Sequence, residues 1–114
     1  MSETKQGDVF EIRENCLLIR LPKEIDHHNT RSIREGADLL MCDNRVQQVI
    51  FDFKETTFMD SSGIGLLAGR NEKITFLGGR TIVMNTNPRI RRLLQISGVD
   101  HEVCILEEEV GNEE

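Results

Sequence analysis

The sequence predicts an α/β domain: a mixed, mostly parallel sheet of about five strands with an N-terminal hairpin and helices packed on it. Short apolar, β-branched runs alternate along the chain with segments whose apolar residues recur at helical spacing, an order that calls for a parallel sheet with right-handed crossovers. The first two runs, residues 9–12 and 16–21, are separated only by the polar stretch Arg13, Glu14 and Asn15, which suits two strands joined by a tight turn. At 114 residues and 38% hydrophobic content the chain supports one domain over 1–114, with an ordered core at about 8–106 and an acidic tail at 107–114.

The remaining elements follow in order. Over 29–42, Ile33, Ala37, Leu40 and Met41 mark the inner face of an amphipathic helix, with Asn29 or Thr30 available as its N-cap. The run VQQVIFDF at 46–53 is rich in β-branched and aromatic residues and predicts a buried strand. After the loop KETTFMD, Ile64, Leu67 and Ala68 mark a second helix that runs to about Phe76 and stops at Gly78 and Gly79. A strand over 80–84 comes next. Asn87 then caps a helix with Pro88 at its first position; Ile90, Leu93 and Leu94 supply its apolar stripe until Gly98. Residues 102–106 make a last strand, and the tail EEEVGNEE is expected to fray.

A net charge of -6 gives no overall positive field for a phosphate backbone, so nucleic acid is a poor partner and a protein a better one. No apolar run approaches the roughly 20 residues a membrane helix needs, and the start MSETKQGD has neither a charged n-region nor an apolar h-region, so a soluble cytoplasmic protein is expected. Cys16, Cys42 and Cys104 lack CxxC spacing and read as reduced, mostly buried thiols. His27 and His28 are adjacent, so their side chains diverge, and no third residue is spaced to complete a metal site; a loop or helix-start role is expected. Arg89, Arg91 and Arg92 read as a solvated helix face.

The segment FMDSSGIG stands where an open α/β sheet keeps its functional groups, between a strand and the start of a helix. Ser61, Ser62, Gly63 and Gly65 leave the first helical turn uncrowded, open to a partner surface or a phosphoryl group. Each glycine costs the helix about 0.8–1 kcal/mol relative to Ala, a modest hint that close approach matters. The plainer reading is that Asp60 or Ser61 is only an N-cap and the glycines only permit packing, and spacing alone favours it. A third reading makes Ser61 a nucleophile with His27, His28 or His101 as base, but DSSGIG is not the GxSxG elbow and the signature is weak.

The chain resembles the anti-sigma factor antagonists, small proteins of the STAS superfamily. The likeness lies in EIDHHN from Glu24, FMDSSGIGLLAGR from Phe58, the GGR turn at Gly78 to Arg80 and NPRIRRLLQISGV from Asn87, and with the element order it covers nearly the whole domain. The resemblance implies that Ser61 is the phosphoacceptor, with Ser62 its neighbour, and that Asp26 of the DHH segment and Asp60 border the same surface. It makes Asp26, His27, Met59, Asp60, Ser62, Gly63 and Gly65 the partner-binding residues. Pro22 and Lys23 depart from the family's usual small residue and glycine, which bears on the shape of that loop.

The resemblance further implies a monomeric regulator and not an enzyme. Its unphosphorylated form would bind an anti-sigma factor and so release a sigma factor. The anti-sigma factor would also be a serine kinase of the histidine-kinase-like ATPase fold, acting on Ser61, and a PP2C-type phosphatase would reverse the mark. Metal and nucleotide would belong to those enzymes, so the chain itself needs no cofactor. The DHH segment leans toward the sporulation type. The alternative is a STAS module that only scaffolds a sensory complex or a transporter, with Ser61 as a helix cap.

Overall fold

A computed structural model of the chain describes residues 9–43 and 45–107. The opening hairpin is present as β1 (Phe10–Arg13) and β2 (Cys16–Arg20), antiparallel, with Phe10 opposite Ile19 and Arg13 opposite Cys16. Then follow β3 (Glu24–Ile25), α1 (Thr30–Asp43), β4 (Gln48–Asp52), β5 (Phe58–Met59), α2 (Ser61–Phe76), β6 (Arg80–Met84), α3 (Pro88–Ser97), a 3-10 turn at Val99–His101, and β7 (Cys104–Ile105). The main sheet has the order β1-β2-β4-β6-β7, parallel except for the hairpin, as the alternation of elements predicted.

Parallel register aligns the side chains of neighbouring strands in rows. Leu17, Val49 and Thr81 form one row, and Ile19, Phe51 and Val83 the next; all six are essentially inaccessible to solvent. Ile33, Ala37 and Met41 of α1, Leu67 and Ile74 of α2, and Ile90 and Leu94 of α3 join the apolar members of those rows in a single core. The opposite rows, such as Leu18 beside Ile50, are only half-buried. The strand in the run at 46–53 is shorter than expected, Gln48–Asp52, and fully buried on one face only, the face on which the helical residues of the core gather.

The turn from α2 into β6 shows why two glycines stand together. Gly78 has φ +87, and the Gly78 and Gly79 amides donate to the carbonyls of Thr75 and Ile74, closing the helix. A Cβ on Gly79 would lie 2.2 Å from the Gln47 carbonyl oxygen, so only glycine lets the chain pass β4 this closely.

Several expectations are corrected. A second, two-stranded parallel sheet, β3 with β5, occupies what the sequence left as loops; two-residue strands carry no readable periodicity. The last strand is only Cys104–Ile105, because the 3-10 turn uses the residues before it. Cys42 and Cys104 are exposed and Cys16 half-buried, contrary to mostly buried thiols: Cys42 lies in the last turn of α1 and Cys104 on an edge strand. The inner face of α2 runs through Gly63, Leu66, Leu67, Arg70, Asn71 and Ile74, with Ile64 and Ala68 at its margin. Glu107 forms a two-bonded ion pair with Arg91, 2.6 and 3.2 Å, so this arginine of the basic cluster is not simply solvated. The rest of the acidic tail lies outside the described residues.

Candidate functional site

Two loops, 21–29 and 53–60, are zipped together at one end of the main sheet. The Thr56 hydroxyl donates to the Pro22 carbonyl at 2.8 Å, and the amides of Thr57 and Phe58 donate to the Lys23 carbonyl. The β3–β5 pairing then sets Glu24 beside Phe58 and Ile25 beside Met59, and the Asp60 amide closes on the Ile25 carbonyl at 3.1 Å. Pro22 and Lys23 enter this zip through their carbonyls, so the missing N–H of proline costs no bond here. The consequence is functional geometry: the DHH segment and the DSSG segment, more than thirty residues apart in sequence, end side by side.

Each segment starts a helix. Asp26 Oδ1 accepts from the amides of His28 and Asn29 at 2.9 and 3.2 Å, and the Asp26 carbonyl accepts from Thr30 at 3.1 Å. Asn29, expected as a forward cap, turns back: its side-chain oxygen accepts from the Asp26 amide and its Nδ2 donates to the Glu24 carbonyl at 2.7 Å. His27 and His28 are exposed with ring centroids 4.0 Å apart, and His28 Nδ1 is 3.8 Å from Asp26 Oδ1.

Asp60 is the N-cap of α2. Its Oδ1 accepts from the Ser62 amide at 2.9 Å and also from the Ser62 hydroxyl. The Ser62 hydroxyl most of all, then the Ser62 amide, with the His27 charge and backbone N–H adding to them, holds the Asp60 carboxyl below its ordinary range. Ser61, one residue earlier than the capped serine, is exposed, and its hydroxyl has no partner among the described residues. The two serines are therefore chemically unlike: one is tethered and half-buried, the other open.

The glycines are unlike as well. A Cβ on Gly63 would lie 2.4 Å from Cγ and Sδ of Met59 and 3.2 Å from Cγ2 of Ile25, so Gly63 lets α2 settle onto the small sheet. Gly63 and Met59, expected at the partner surface, are both buried in the free chain and hold the loop's shape from beneath. Strand alternation puts Phe58, not Met59, outside, 44% exposed; the sequence reading missed it, although opposite faces for neighbouring strand residues is the signal that finds it. Gly65 is exposed, and a Cβ there would meet nothing within 4 Å.

Behind the site, α1 and α2 are tied by Arg70, whose side chain is 5% exposed and whose Nε is 2.8 Å from Asp38 Oδ1; Lys73 Nζ is 3.5 Å from the other oxygen. Burial lowers the guanidinium's affinity for its proton, and the Asp38 charge opposes that. Among the described residues no cluster of three His, Cys, Asp or Glu side chains is arranged for a metal ion, and His101 sits in the turn after α3, its ring near Asp100. No helix among the described residues is long and apolar enough to cross a membrane.

The STAS domain model matches residues 9–112 of the chain. The chain belongs to the STAS family. It groups there with the anti-sigma factor antagonists: it is 34% identical over 102 residues to the anti-sigma F factor antagonist of Paenibacillus polymyxa, covering 90% of this chain and 87% of that one. This STAS domain also superposes on the anti-sigma factor antagonist SpoIIAA in its unphosphorylated form, with TM-score 0.78, 34% identity and 90% of each chain covered. The Bacillus cell fate determinant SpoIIAA in its phosphorylated form matches with TM-score 0.71 and 34% identity over 90% of this chain and 93% of that one.

Proposed function

We propose that this STAS domain is an anti-sigma factor antagonist switched by phosphorylation of Ser61. The observation that carries the proposal is the open Ser61 hydroxyl at the start of α2, standing directly before a serine whose own hydroxyl is taken by Asp60. Similarity to an antagonist described in both unphosphorylated and phosphorylated forms supports it. In this reading the unphosphorylated chain, a monomer in the cytoplasm, binds an anti-sigma factor of the histidine-kinase-like ATPase fold and so frees a sigma factor of the sporulation type. The anti-sigma factor uses Mg-ATP to phosphorylate Ser61, and a PP2C-type phosphatase restores the serine. The chain is a substrate of both and does no chemistry itself.

The contact surface is built by Asp26, His27, Asp60, Ser61, Ser62 and Gly65, with Met59 and Gly63 supporting it from within. Phosphate on Ser61 adds about -1.5 to -2 charge beside Asp60 and near Asp26. A docked partner would have to desolvate that dianion next to carboxylates, which opposes binding. Titration calorimetry of the cognate anti-sigma factor against wild type, Ser61→Ala and Ser61→Asp tests this: Ser61→Ala should bind and Ser61→Asp should not. Tight binding by all three would overturn the proposal.

A further inference from the structure

We infer that Asp60 is a specificity-determining residue that restricts phosphorylation to Ser61 by holding the neighbouring Ser62 hydroxyl out of reach. The inference rests on the switch reading above and adds to it the basis on which one of two adjacent serines is chosen. Ser62 Oγ donates its proton to Asp60 Oδ1, the same oxygen that accepts the Ser62 amide, so the side chain is pinned in one rotamer against the cap. Ser62 is half-buried, whereas Ser61 is exposed with a hydroxyl that has no partner among the described residues. In-line attack on a γ-phosphoryl group requires the acceptor oxygen to turn outward and give up its proton to a base of the kinase as the O–P bond forms and the bond to the departing ADP breaks. Ser61 can do this by rotation about one bond. Ser62 must first break a hydrogen bond to an ionised carboxylate, one of the stronger kinds of side-chain bond.

A carboxylate beside a hydroxyl could instead act as its base and activate Ser62. Asp60 is badly placed for that role. Its Oδ1 already accepts two hydrogen bonds from Ser62, and the His27 backbone N–H and charge act on the same group, which leaves the carboxylate a weak base. The arrangement withdraws Ser62 and leaves Ser61 to the kinase.

The test uses the full chain with its cognate anti-sigma factor kinase and Mg-ATP, the phosphate being located by mass spectrometry in wild type, Asp60→Asn and Asp60→Ala. Asn keeps an oxygen for the Ser62 amide while weakening the bond to the hydroxyl. The Ser62:Ser61 phosphate ratio should rise by about tenfold to a hundredfold in the variants, the range that one charged hydrogen bond permits. In parallel, three-bond couplings in the unphosphorylated proteins should show a single Ser62 χ1 rotamer in wild type and averaging in the variants, with Ser61 averaged throughout. Phosphate confined to Ser61 in both variants, loss of all phosphorylation in both, or an averaged Ser62 rotamer in wild type would each overturn the inference. Phosphate absent from Ser61 of the wild type would instead sink the switch reading.

Discussion

Replacing Gly65 with alanine should move stability and partner binding in opposite directions. Gly65 is the fifth residue of α2, and a Cβ built on it meets nothing within 4 Å, so the folded chain pays no steric cost for the methyl. Alanine is better than glycine inside a helix by about 0.8–1 kcal/mol, which for a domain of this size is a rise of roughly 4 °C in Tm. A partner surface seated against the first turns of α2 would meet that methyl where it now meets open backbone. Overpacking of a close contact costs about 1–3 kcal/mol, or about fivefold to 150-fold in Kd. Urea denaturation and calorimetry with the cognate anti-sigma factor read the two effects separately. A more stable variant that binds as wild type does would refute the reasoning, because the glycine would then have no role in approach.

Gly63→Ala is the contrasting case: its methyl would strike Met59 in the core, and a loss of about 1–3 kcal/mol in urea denaturation is expected despite the helix preference for alanine. Asp38→Ala leaves the Arg70 guanidinium buried without its partner and should cost about 3 kcal/mol, the low end for a buried pair because Asp38 keeps some solvent contact. The Asp60 carboxyl sits below its ordinary 3.8 in the fold, so its bonds add stability above that pH and lose it as pH falls through the lowered folded value. Asp60→Asn should therefore flatten this part of the acid limb in urea titrations carried below pH 3.8; an unchanged limb would deny Asp60 that role.

The large elements were legible because each repeats a pattern over many residues. Ile33, Ala37 and Met41 keep one period through α1, and Asn87, Pro88 and Gly98 punctuate α3 with a cap, a first-turn proline and a left-handed stop. The small sheet was not legible. Glu24–Ile25 and Phe58–Met59 are too short to show alternation, and what fixes them is the set of carbonyls at Pro22, Lys23 and Ile25 that accept bonds from the later loop. That pairing decides which residues of FMDSSGIG face out. Without it Met59 and Gly63 looked like contact residues and Phe58 did not, and Ser61 and Ser62 differed only by resemblance. The structure adds a physical difference between the serines, the tether to Asp60, that spacing cannot encode.

The same tether limits what a phosphate at Ser61 can gain from the fold. Helix starts favour anions because their first amides lack partners and the dipole points there. At α2, however, the Ser62 amide is already given to Asp60 Oδ1 and the Gly63 amide to the Asp60 carbonyl at 3.0 Å. The Asp26 carboxylate likewise takes the His28 and Asn29 amides before α1. The start of α2 thus meets its own capping aspartate first, so little of its anion-binding capacity is left over. A phosphate at Ser61 would remain hydrated on an exposed serine instead of being drawn into a cage, and the fold would have no reason to rearrange around it. Its effect would fall on whatever tries to remove that water, which is a docking partner. A switch built this way needs no second conformation of the chain, only a surface that the partner can approach when Ser61 is bare.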